Sequence, residues 1–287
     1  MKTAVILPAA GVGRRFNGGD DAGPSKVEMT LAGKAVFVRA IELFLRRPEV
    51  SDVLLAVHPE KLEAFALRWG DTLRFLGVRL VAGGTVERWE TVAKALAEVP
   101  AHCTHVAVHD AARPMTSDAL IERVFAAAAT HDAVIPALPV TSTLKRVKEL
   151  DTASEPPADP LDAILGDAGK AGGDPGGDPG AEVRQVVETV PRAGLVAVET
   201  PQVFAVGLLR RAYAQVSEGR FDAAGVTDDA SLVEALGEPV YVVEGETENL
   251  KLTRAADVAL CEAILAKRAG DASQSRKRLF GDDDEDE

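Results

Sequence analysis

Short apolar runs alternate along this chain with longer segments in which apolar residues recur every three or four positions. The short runs are continuous and contain few polar residues, a pattern typical of parallel strands that are covered on both faces. They predict strands at 3–7, 53–57, 78–81, 106–108 and 133–137. The periodic segments predict helices at 35–46, 59–69, 87–99 and 117–130. This order predicts an α/β fold with a doubly wound, mostly parallel sheet, whose ligands bind at the carboxyl ends of the strands.

Residues 151–182 interrupt this pattern with a run rich in Gly, Pro and Asp. Such a segment buries too little apolar surface to offset the entropy lost on ordering, so it predicts a disordered insertion. The flanking segments 143–147 and 183–190 alternate like strands, which places the insertion at the tip of a β-hairpin. Further elements are predicted as helices near 206–216, 228–236 and 254–268 and a strand at 240–243. The chain from 270 to 287 is predicted to be a disordered acidic tail, which leaves 1–269 as one domain.

The charge balance disfavours some classes of protein. The net charge is −13, from 32 Lys and Arg against 45 Asp and Glu. Residues 282–287 carry six of these net negative charges and 149–184 carry seven, so the rest of the chain is neutral. A general nucleic-acid binder needs clustered positive charge and is therefore disfavoured. Two cysteines exclude a disulfide framework, and the N-terminal apolar run is too short for a signal peptide or a membrane span. We expect a soluble cytoplasmic protein with no nucleic-acid or membrane partner.

A glycine-containing loop follows the first predicted strand. Its sequence is Pro8-Ala9-Ala10-Gly11-Val12-Gly13-Arg14-Arg15-Phe16. Small residues and two glycines let the backbone N–H groups approach an anion. A dinucleotide fingerprint would need a third glycine in place of Phe16, and a Walker loop would end in Gly-Lys-Ser or Gly-Lys-Thr. The paired arginines and the following Lys26 favour a triphosphate ligand, and a purely structural turn is the alternative.

Several motifs together resemble a known family. The loop from Pro8 to Arg15, followed by Lys26, resembles the opening signature of nucleotidyltransferases. Further motifs narrow the resemblance to the 2-C-methyl-D-erythritol 4-phosphate cytidylyltransferase family of non-mevalonate isoprenoid synthesis. These motifs are Gly83-Gly84, Arg88, Val108-His109-Asp110-Ala111-Ala112-Arg113-Pro114 and Glu248-Asn249-Leu250-Lys251-Leu252-Thr253. The resemblance covers about 3–268 apart from the insertion. It implies a Rossmann-like nucleotidyltransferase fold with a protruding β-hairpin dimerisation arm at about 139–195.

The resemblance also implies a reaction. The phosphate of a polyol phosphate attacks the α-phosphorus of CTP, and pyrophosphate leaves. Arg15 and Lys26 would be the catalytic cations that stabilise the charge gathering on the phosphate oxygens. Mg²⁺ or another divalent cation would shield the triphosphate, and Asp110 is the candidate for contact with this metal or with a ribose hydroxyl of CTP. The residues implied to bind CTP are Pro8, Ala9, Ala10, Gly11, Gly13, Gly84, Thr85, Arg88, Thr91 and Asp110.

The second substrate would be held by its own phosphate. The positions implied for this role are Arg113, Thr143, Arg192, Thr200 and Lys251. In the family the arm crosses to a second subunit, so a homodimer is expected in which each site is completed by its partner. One departure concerns the catalytic lysine, which in the family typically follows a proline directly, whereas Ser25 separates Pro24 from Lys26 here.

Four alternatives stay open. The segment Gly83-Gly84-Thr85 is also consistent with a glycine turn and a threonine helix cap, and Asp110 and Arg113 with a structural ion pair. A ribitol-5-phosphate cytidylyltransferase would share most of the CTP contacts. A non-catalytic nucleotide-binding or partner-docking protein would use the acidic segments. The run His102-Cys103-Thr104-His105 matches no standard zinc-ligand spacing.

Overall fold

The computed structural model describes residues 1–11, 25–149, 184–221 and 226–280. The strands are β1 (Thr3–Pro8), β2 (Thr30–Leu31), β3 (Lys34–Ala35), β4 (Val50–Val57), β5 (Val78–Ala82), β6 (His105–Val108), β7 (Ala133–Pro139), β8 (Leu144–Glu149), β9 (Arg184–Val190), β10 (Val196–Val198), β11 (Gln202–Ala205) and β12 (Tyr241–Glu244). The helices are α1 (Val36–Leu45), α2 (Leu62–Phe75), α3 (Arg88–Ala97), α4 (Asp118–Ala128), α5 (Val206–Ser217), α6 (Asp229–Ala235) and α7 (Ala256–Phe280), with a 3₁₀ turn at Pro59–Lys61.

The main sheet has eight strands in the order β10-β7-β11-β6-β1-β4-β5, with β12 paired to β7. The pairs β1–β4, β1–β6, β4–β5 and β7–β12 are parallel. The predicted doubly wound, mostly parallel α/β fold is therefore confirmed. The sequence did not predict β11, which pairs antiparallel between β6 and β7.

Each face of the sheet carries its own hydrophobic core. Successive residues of β1 point to opposite faces, so Val5 and Leu7 join one core while Ala4 and Ile6 join the other. Helices α1, α2, α4 and α7 cover the first face, and α3, α5 and α6 cover the second. Because helices cover both faces, a ligand would reach the sheet at the ends of its strands. In such folds ligands bind at the carboxyl ends of the strands.

The segment Pro139–Val196 forms a second compact unit of its own. Its strands β8 and β9 pair antiparallel from Leu144 opposite Val190 to Glu149 opposite Arg184. This pairing agrees with the hairpin predicted for the segments that flank 151–182. The predicted disordered insertion itself lies outside the described residues.

The predicted boundary of the C-terminal tail is wrong. Helix α7 continues past Gly270 and ends at Phe280. Residues 271–280 contain Ala, Gln, Lys, Arg and Leu but no proline, so their helix propensity is sufficient to extend the helix. Residues 281–287 lie outside the described part of the chain. None of the described helices is long and apolar enough to cross a membrane.

Candidate active site

A cleft of about 250 Å³ lies at the carboxyl ends of the parallel strands. It is formed by the ends of β1 and β6, the loop before α3 and two lysines from other segments. Its lining residues are Pro8, Ala9, Ala10, Gly11, Lys26, Val27, Gly84, Thr85, Val86, Glu87, Arg88, Thr91, Asp110, Ala111, Ala112 and Lys251. The cleft thus brings together every described residue that was predicted to bind CTP, and Lys26 with them.

The loop after β1 is anchored to the neighbouring strand. The backbone N–H of Ala9 donates to the carbonyl of Ala56 in β4 at 2.7 Å. Beyond Gly11, which is exposed, the predicted Gly13 and Arg15 lie outside the described residues. Lys26 is half-buried, and Val27 beside it belongs to the hydrophobic core. The packed neighbour fixes the backbone of the lysine at the wall of the cleft.

The loop after β5 is held by side chains of α3. The N–H of Gly84 donates to the hydroxyl of Thr91 at 3.0 Å, and those of Thr85 and Val86 both donate to Glu90 Oε2 at 3.2 Å. These backbone hydrogen bonds lower the pKa of Glu90. The alternative of a threonine cap is wrong, since α3 has Glu87 at its N-cap position and Glu90 reaches back to the loop instead.

Gly84 has no room for a side chain. A Cβ there would lie 2.5 Å from Glu90 Cβ and 2.9 Å from the Thr91 nitrogen. We expect Gly84→Ala to displace the loop and lower kcat/KM for CTP about 10²-fold, as a displacement of about 1 Å does at other sites. Gly70→Ala is the matched control, because nothing lies within 4 Å of an added Cβ there. Steady-state kinetics that are equal in both variants would contradict this reading of the loop.

Asp110 is the centre of charge in the cleft. Its Oδ2 lies 2.8 Å from Lys251 Nζ and 3.6 Å from Arg113 Nε, and its Oδ1 lies 3.4 Å from Arg88 Nε. Burial by itself would raise the pKa of this carboxyl, but the charges of Arg88 and Lys251, followed by that of Arg113, outweigh it and hold the pKa well below its usual range. Arg88 is also paired with a second acid, Asp229, at 2.8 Å, so the three cations exceed the two carboxylates by one positive charge, which suits an anionic ligand.

A buried hydrogen-bond chain fixes the backbone of Asp110. His109 is fully buried, and burial lowers its pKa to about 4, so its ring is neutral at neutral pH. Its Nε2 lies 3.0 Å from the carbonyl of Arg113, which can only accept, so Nε2 carries the proton. The Thr200 hydroxyl therefore donates to Nδ1 at 3.1 Å and accepts from the Asp110 N–H at 3.1 Å. The predicted Thr200 thus positions Asp110.

A second cavity of about 380 Å³ adjoins the cleft. Arg88, Asp110 and Lys251 line both. The rest of its wall is rich in hydroxyl and carboxylate groups, from Glu199, Thr200, Thr227, Asp228, Ser231 and Glu234, and it also contains Arg113, Val198 and Gln202. Such groups can accept hydrogen bonds from a polyhydroxylated ligand, and the hydroxyl groups can also donate to it.

The segment that carries Lys251 is held by Asn249. The Asn249 amide donates to Glu199 Oε2 at 3.2 Å and to the carbonyl of Thr200 at 3.0 Å. Its backbone carbonyl accepts from Arg113 Nη1 at 2.6 Å. Arg113 is therefore committed mainly to this backbone contact, and the alternative of a structural Asp110–Arg113 pair is the weaker interaction, at 3.6 Å.

Comparison with known proteins identifies the family. The model of the 2-C-methyl-D-erythritol 4-phosphate cytidylyltransferase family matches residues 3–156 and 179–267. The chain belongs to this family. It is 38% identical over 268 residues to the 2-C-methyl-D-erythritol 4-phosphate cytidylyltransferase of Frankia casuarinae, covering 93% of this chain and 82% of that protein. It is 35% identical over 280 residues to the enzyme of the same name from Solibacter usitatus, covering 96% and 100%.

A solved structure agrees with this assignment. The crystal structure of 2-C-methyl-D-erythritol 4-phosphate cytidylyltransferase from Thermus thermophilus has a TM-score of 0.64 and 29% sequence identity. The match covers 93% of this chain and all of that one. The resemblance stated from the motifs is confirmed, and with it the nucleotidyltransferase class.

Two of the residues predicted for the second substrate lie in the second compact unit. Thr143 is exposed there. Arg192 is also exposed, and its guanidinium donates to the carbonyl of Thr141 in the same unit. Their roles in this cytidylyltransferase family member stay predictions.

Sequence reasoning missed Asp229, a fully buried acid behind Arg88. Its Oδ2 lies 2.8 Å from Arg88 Nη1, and its Oδ1 accepts from the Tyr213 hydroxyl at 2.5 Å. Burial and the charge of Asp229 raise the pKa of Tyr213, so the tyrosine remains a donor. Asp229 and Asp110 thus hold Arg88 from two sides at the junction of the cavities. The sequence signal was Thr227-Asp228-Asp229-Ala230-Ser231, which contains one acid more than a helix cap needs.

Loss of the Arg88–Asp229 ion pair should lower the stability of the protein. Asp229→Asn should lower the free energy of unfolding by about 3 kcal/mol, the low end of the cost of breaking a buried ion pair, because Arg88 keeps Asp110. Glu238→Gln is the control, since it breaks an exposed pair with Arg211 and should cost under about 1 kcal/mol. Urea unfolding measures both, and equal losses in the two variants would contradict the role of Asp229.

Proposed function

We propose that this chain transfers the cytidylyl group of CTP to 2-C-methyl-D-erythritol 4-phosphate, which gives 4-diphosphocytidyl-2-C-methyl-D-erythritol and pyrophosphate. The observation that carries this proposal is the junction of the two cavities at Asp110. The first cavity offers a glycine loop and cations to a nucleotide triphosphate, and the second offers hydroxyl and carboxylate groups to a polyol. Arg88 and Lys251 line both cavities, so they would face both ligands where the reacting phosphates meet.

The reaction requires positioning more than acid–base chemistry. An oxygen of the substrate phosphate forms a bond to the α-phosphorus of CTP, while the bond from that phosphorus to the β-phosphate oxygen breaks and pyrophosphate leaves. The attacking phosphate is already ionised, so no general base is required. Lys26 and Arg15 would stabilise the charge on the α-phosphate oxygens, and Lys251 would hold the incoming phosphate. Lys251 is paired with Asp110 in the free protein and would pair with the incoming phosphate in the substrate complex, so it would have an anionic partner in both states.

The described residues of the cleft fit a divalent cation such as Mg²⁺. Asp110 and Glu87 are the acids that line it. The Oδ1 of Asp110 has its nearest cationic partner at 3.4 Å, whereas Oδ2 is held at 2.8 Å by Lys251. In a Mg²⁺–nucleotide site the protein usually contributes one or two carboxylates, and substrate phosphates and water supply the other ligands. Asp110 would hold the ion, which would supply charge neutralisation of the triphosphate.

The proposed assembly is a homodimer formed through the arm of strands β8 and β9. A two-stranded antiparallel pair is marginally stable by itself. This pair also exposes apolar side chains, with 43% of Val147, 54% of Val186 and 55% of Val187 accessible. A second subunit that covers them would supply the missing buried surface, and Arg192 of one chain would then complete the site of the other.

Complementation tests this arrangement. If Arg192 acts on the partner's site, co-expressed Lys26→Ala and Arg192→Ala chains should recover about a quarter of wild-type activity, because half of the symmetric dimers are mixed and each has one intact site. Each variant expressed alone should be nearly inactive. No recovery in dimers shown to be mixed would place Arg192 in the site of its own chain.

The identity of the polyol is tested by comparing two substrates. We expect kcat/KM with CTP to be higher for 2-C-methyl-D-erythritol 4-phosphate than for ribitol 5-phosphate. Equal or faster use of ribitol 5-phosphate would overturn the proposed substrate. If neither compound releases pyrophosphate while CTP still binds, the non-catalytic alternative would be favoured.

A further inference from the structure

Three potential metal ligands converge at the opposite edge of the sheet from the catalytic cleft. Asp52 lies near the amino end of β4, and His102 and Cys103 lie in the loop that precedes β6. The carboxylate, imidazole and thiol ligand atoms all lie within 4.8 Å of one another. The sequence showed only the adjacent His102 and Cys103, and the fold adds the third ligand from fifty residues earlier.

A single carboxylate oxygen is the point of convergence. Asp52 Oδ2 lies 2.9 Å from His102 Nε2, 3.5 Å from Cys103 Sγ and 2.9 Å from the hydroxyl of Ser51. Three possible donors crowd the two lone pairs of this oxygen, and the Cys103 thiol also lies 3.5 Å from the Ser51 hydroxyl. An ion placed between the three ligand atoms would replace the protons of His102 and Cys103 and leave Ser51 as the hydrogen-bond donor.

The donor set selects the class of ion. Imidazole nitrogen, thiolate sulfur and carboxylate oxygen are the ligands of Zn²⁺ and Co²⁺, whereas Mg²⁺ prefers oxygen alone. Bonds of about 2.0 to 2.3 Å in a tetrahedral site place the ligand atoms about 3.3 to 3.8 Å apart. The 3.5 Å separation of Cys103 Sγ and Asp52 Oδ2 already meets this condition, and the 2.9 Å separation from His102 must widen by a few tenths of an ångström.

The cluster is accessible from solvent. The His102 side chain is half exposed and that of Asp52 is 19% exposed, so an ion can enter from solvent and keep water as its fourth ligand. Cys103 is 6% exposed and belongs to a hydrophobic core. We propose that Asp52, His102 and Cys103 form a Zn²⁺-type site that ties the start of β4 to the loop before β6. The site is remote from the cleft, so its role is stabilising and does not depend on the proposed function.

Co²⁺ titration of the metal-free protein tests the proposal. Wild type should bind one Co²⁺ per chain with a thiolate-to-cobalt charge-transfer band in the near ultraviolet, and excess Mg²⁺ should not remove the band. Cys103→Ser and His102→Gln should abolish or strongly weaken it. Cys261→Ser is the matched control, because Cys261 is the other buried cysteine and should leave the band unchanged.

Thermal unfolding provides a second readout. Zn²⁺ should raise the melting temperature of wild type and Cys261→Ser by several degrees, because an ion that binds the folded state alone stabilises it, and it should not raise that of His102→Gln. His102→Gln changes a half-exposed side chain, so its result stands even if Cys103→Ser fails to fold. Absence of the band in wild type, or a band that survives in His102→Gln and Cys103→Ser, would overturn the proposal.

Discussion

Lys26→Ala is expected to lower kcat by about 10²-fold or more, which is the usual cost of losing one donor that stabilises a transition-state oxyanion. The side chain lines the cleft beside the glycine loop, where the α-phosphate of CTP would lie. The interaction strengthens as charge gathers on the phosphate oxygens, so the loss should appear in kcat more than in KM. Single-turnover measurement of pyrophosphate release gives the chemical step directly.

Lys34 provides the control for this experiment. It is the next lysine along the chain, and its Nζ is paired with Glu42 at 2.6 Å on the surface. Lys34→Ala should leave kcat near the wild-type value. The reverse result, with normal turnover in Lys26→Ala and a large loss in Lys34→Ala, would show that the insertion of Ser25 before the lysine has moved the catalytic role.

Asp110→Asn is expected to lower kcat/KM for both substrates by about 10²-fold or more, because Arg88 and Lys251 would lose the carboxylate that positions them, and a displacement of about 1 Å can cost about 10²-fold. The substitution keeps the shape of the side chain but leaves Arg88 and Lys251 without their shared anion. It also removes the carboxylate proposed to hold Mg²⁺. Kinetics with each substrate varied in turn, over a range of Mg²⁺ concentrations, measure the effect.

The control for Asp110→Asn is Asp71→Asn. Asp71 is 97% exposed in α2 and pairs with Arg74 on the surface. This variant should retain wild-type kinetics and stability. A loss in Asp110→Asn that is confined to one substrate would contradict the position of Asp110 at the junction of the two cavities.

The parts of the site that the sequence predicted are those set by local chain order. In a parallel sheet the loops after successive strands meet at one edge, so the loop after β1, the Gly83-Gly84 segment and the motif after β6 could be placed together in advance. The ends of these segments indeed line one cleft. Gly84 was predictable for a local reason. A loop that packs closely on its helix needs a residue without a side chain.

The parts that sequence reasoning missed depend on contacts between distant segments. Asp229 is 141 residues from Arg88, and its neighbour Asp228 caps α6 by accepting from the Ser231 N–H at 2.9 Å. The extra acid is visible in the sequence, but acids are common in the first turn of a helix, so the sequence does not reveal Arg88 as its partner. Strand β11 was missed because its four residues run directly into α5 without a turn signal. Asp52 likewise carries no motif until the fold places it beside Cys103.

We propose that the two cavities joined at Asp110 transfer a cytidylyl group from CTP to 2-C-methyl-D-erythritol 4-phosphate. The most direct test incubates the purified protein with both compounds and Mg²⁺ and measures the products by phosphorus NMR. We expect equal amounts of pyrophosphate and 4-diphosphocytidyl-2-C-methyl-D-erythritol, with neither formed by Lys26→Ala at a comparable rate. Unchanged CTP, or pyrophosphate released without the cytidylylated polyol, would contradict it.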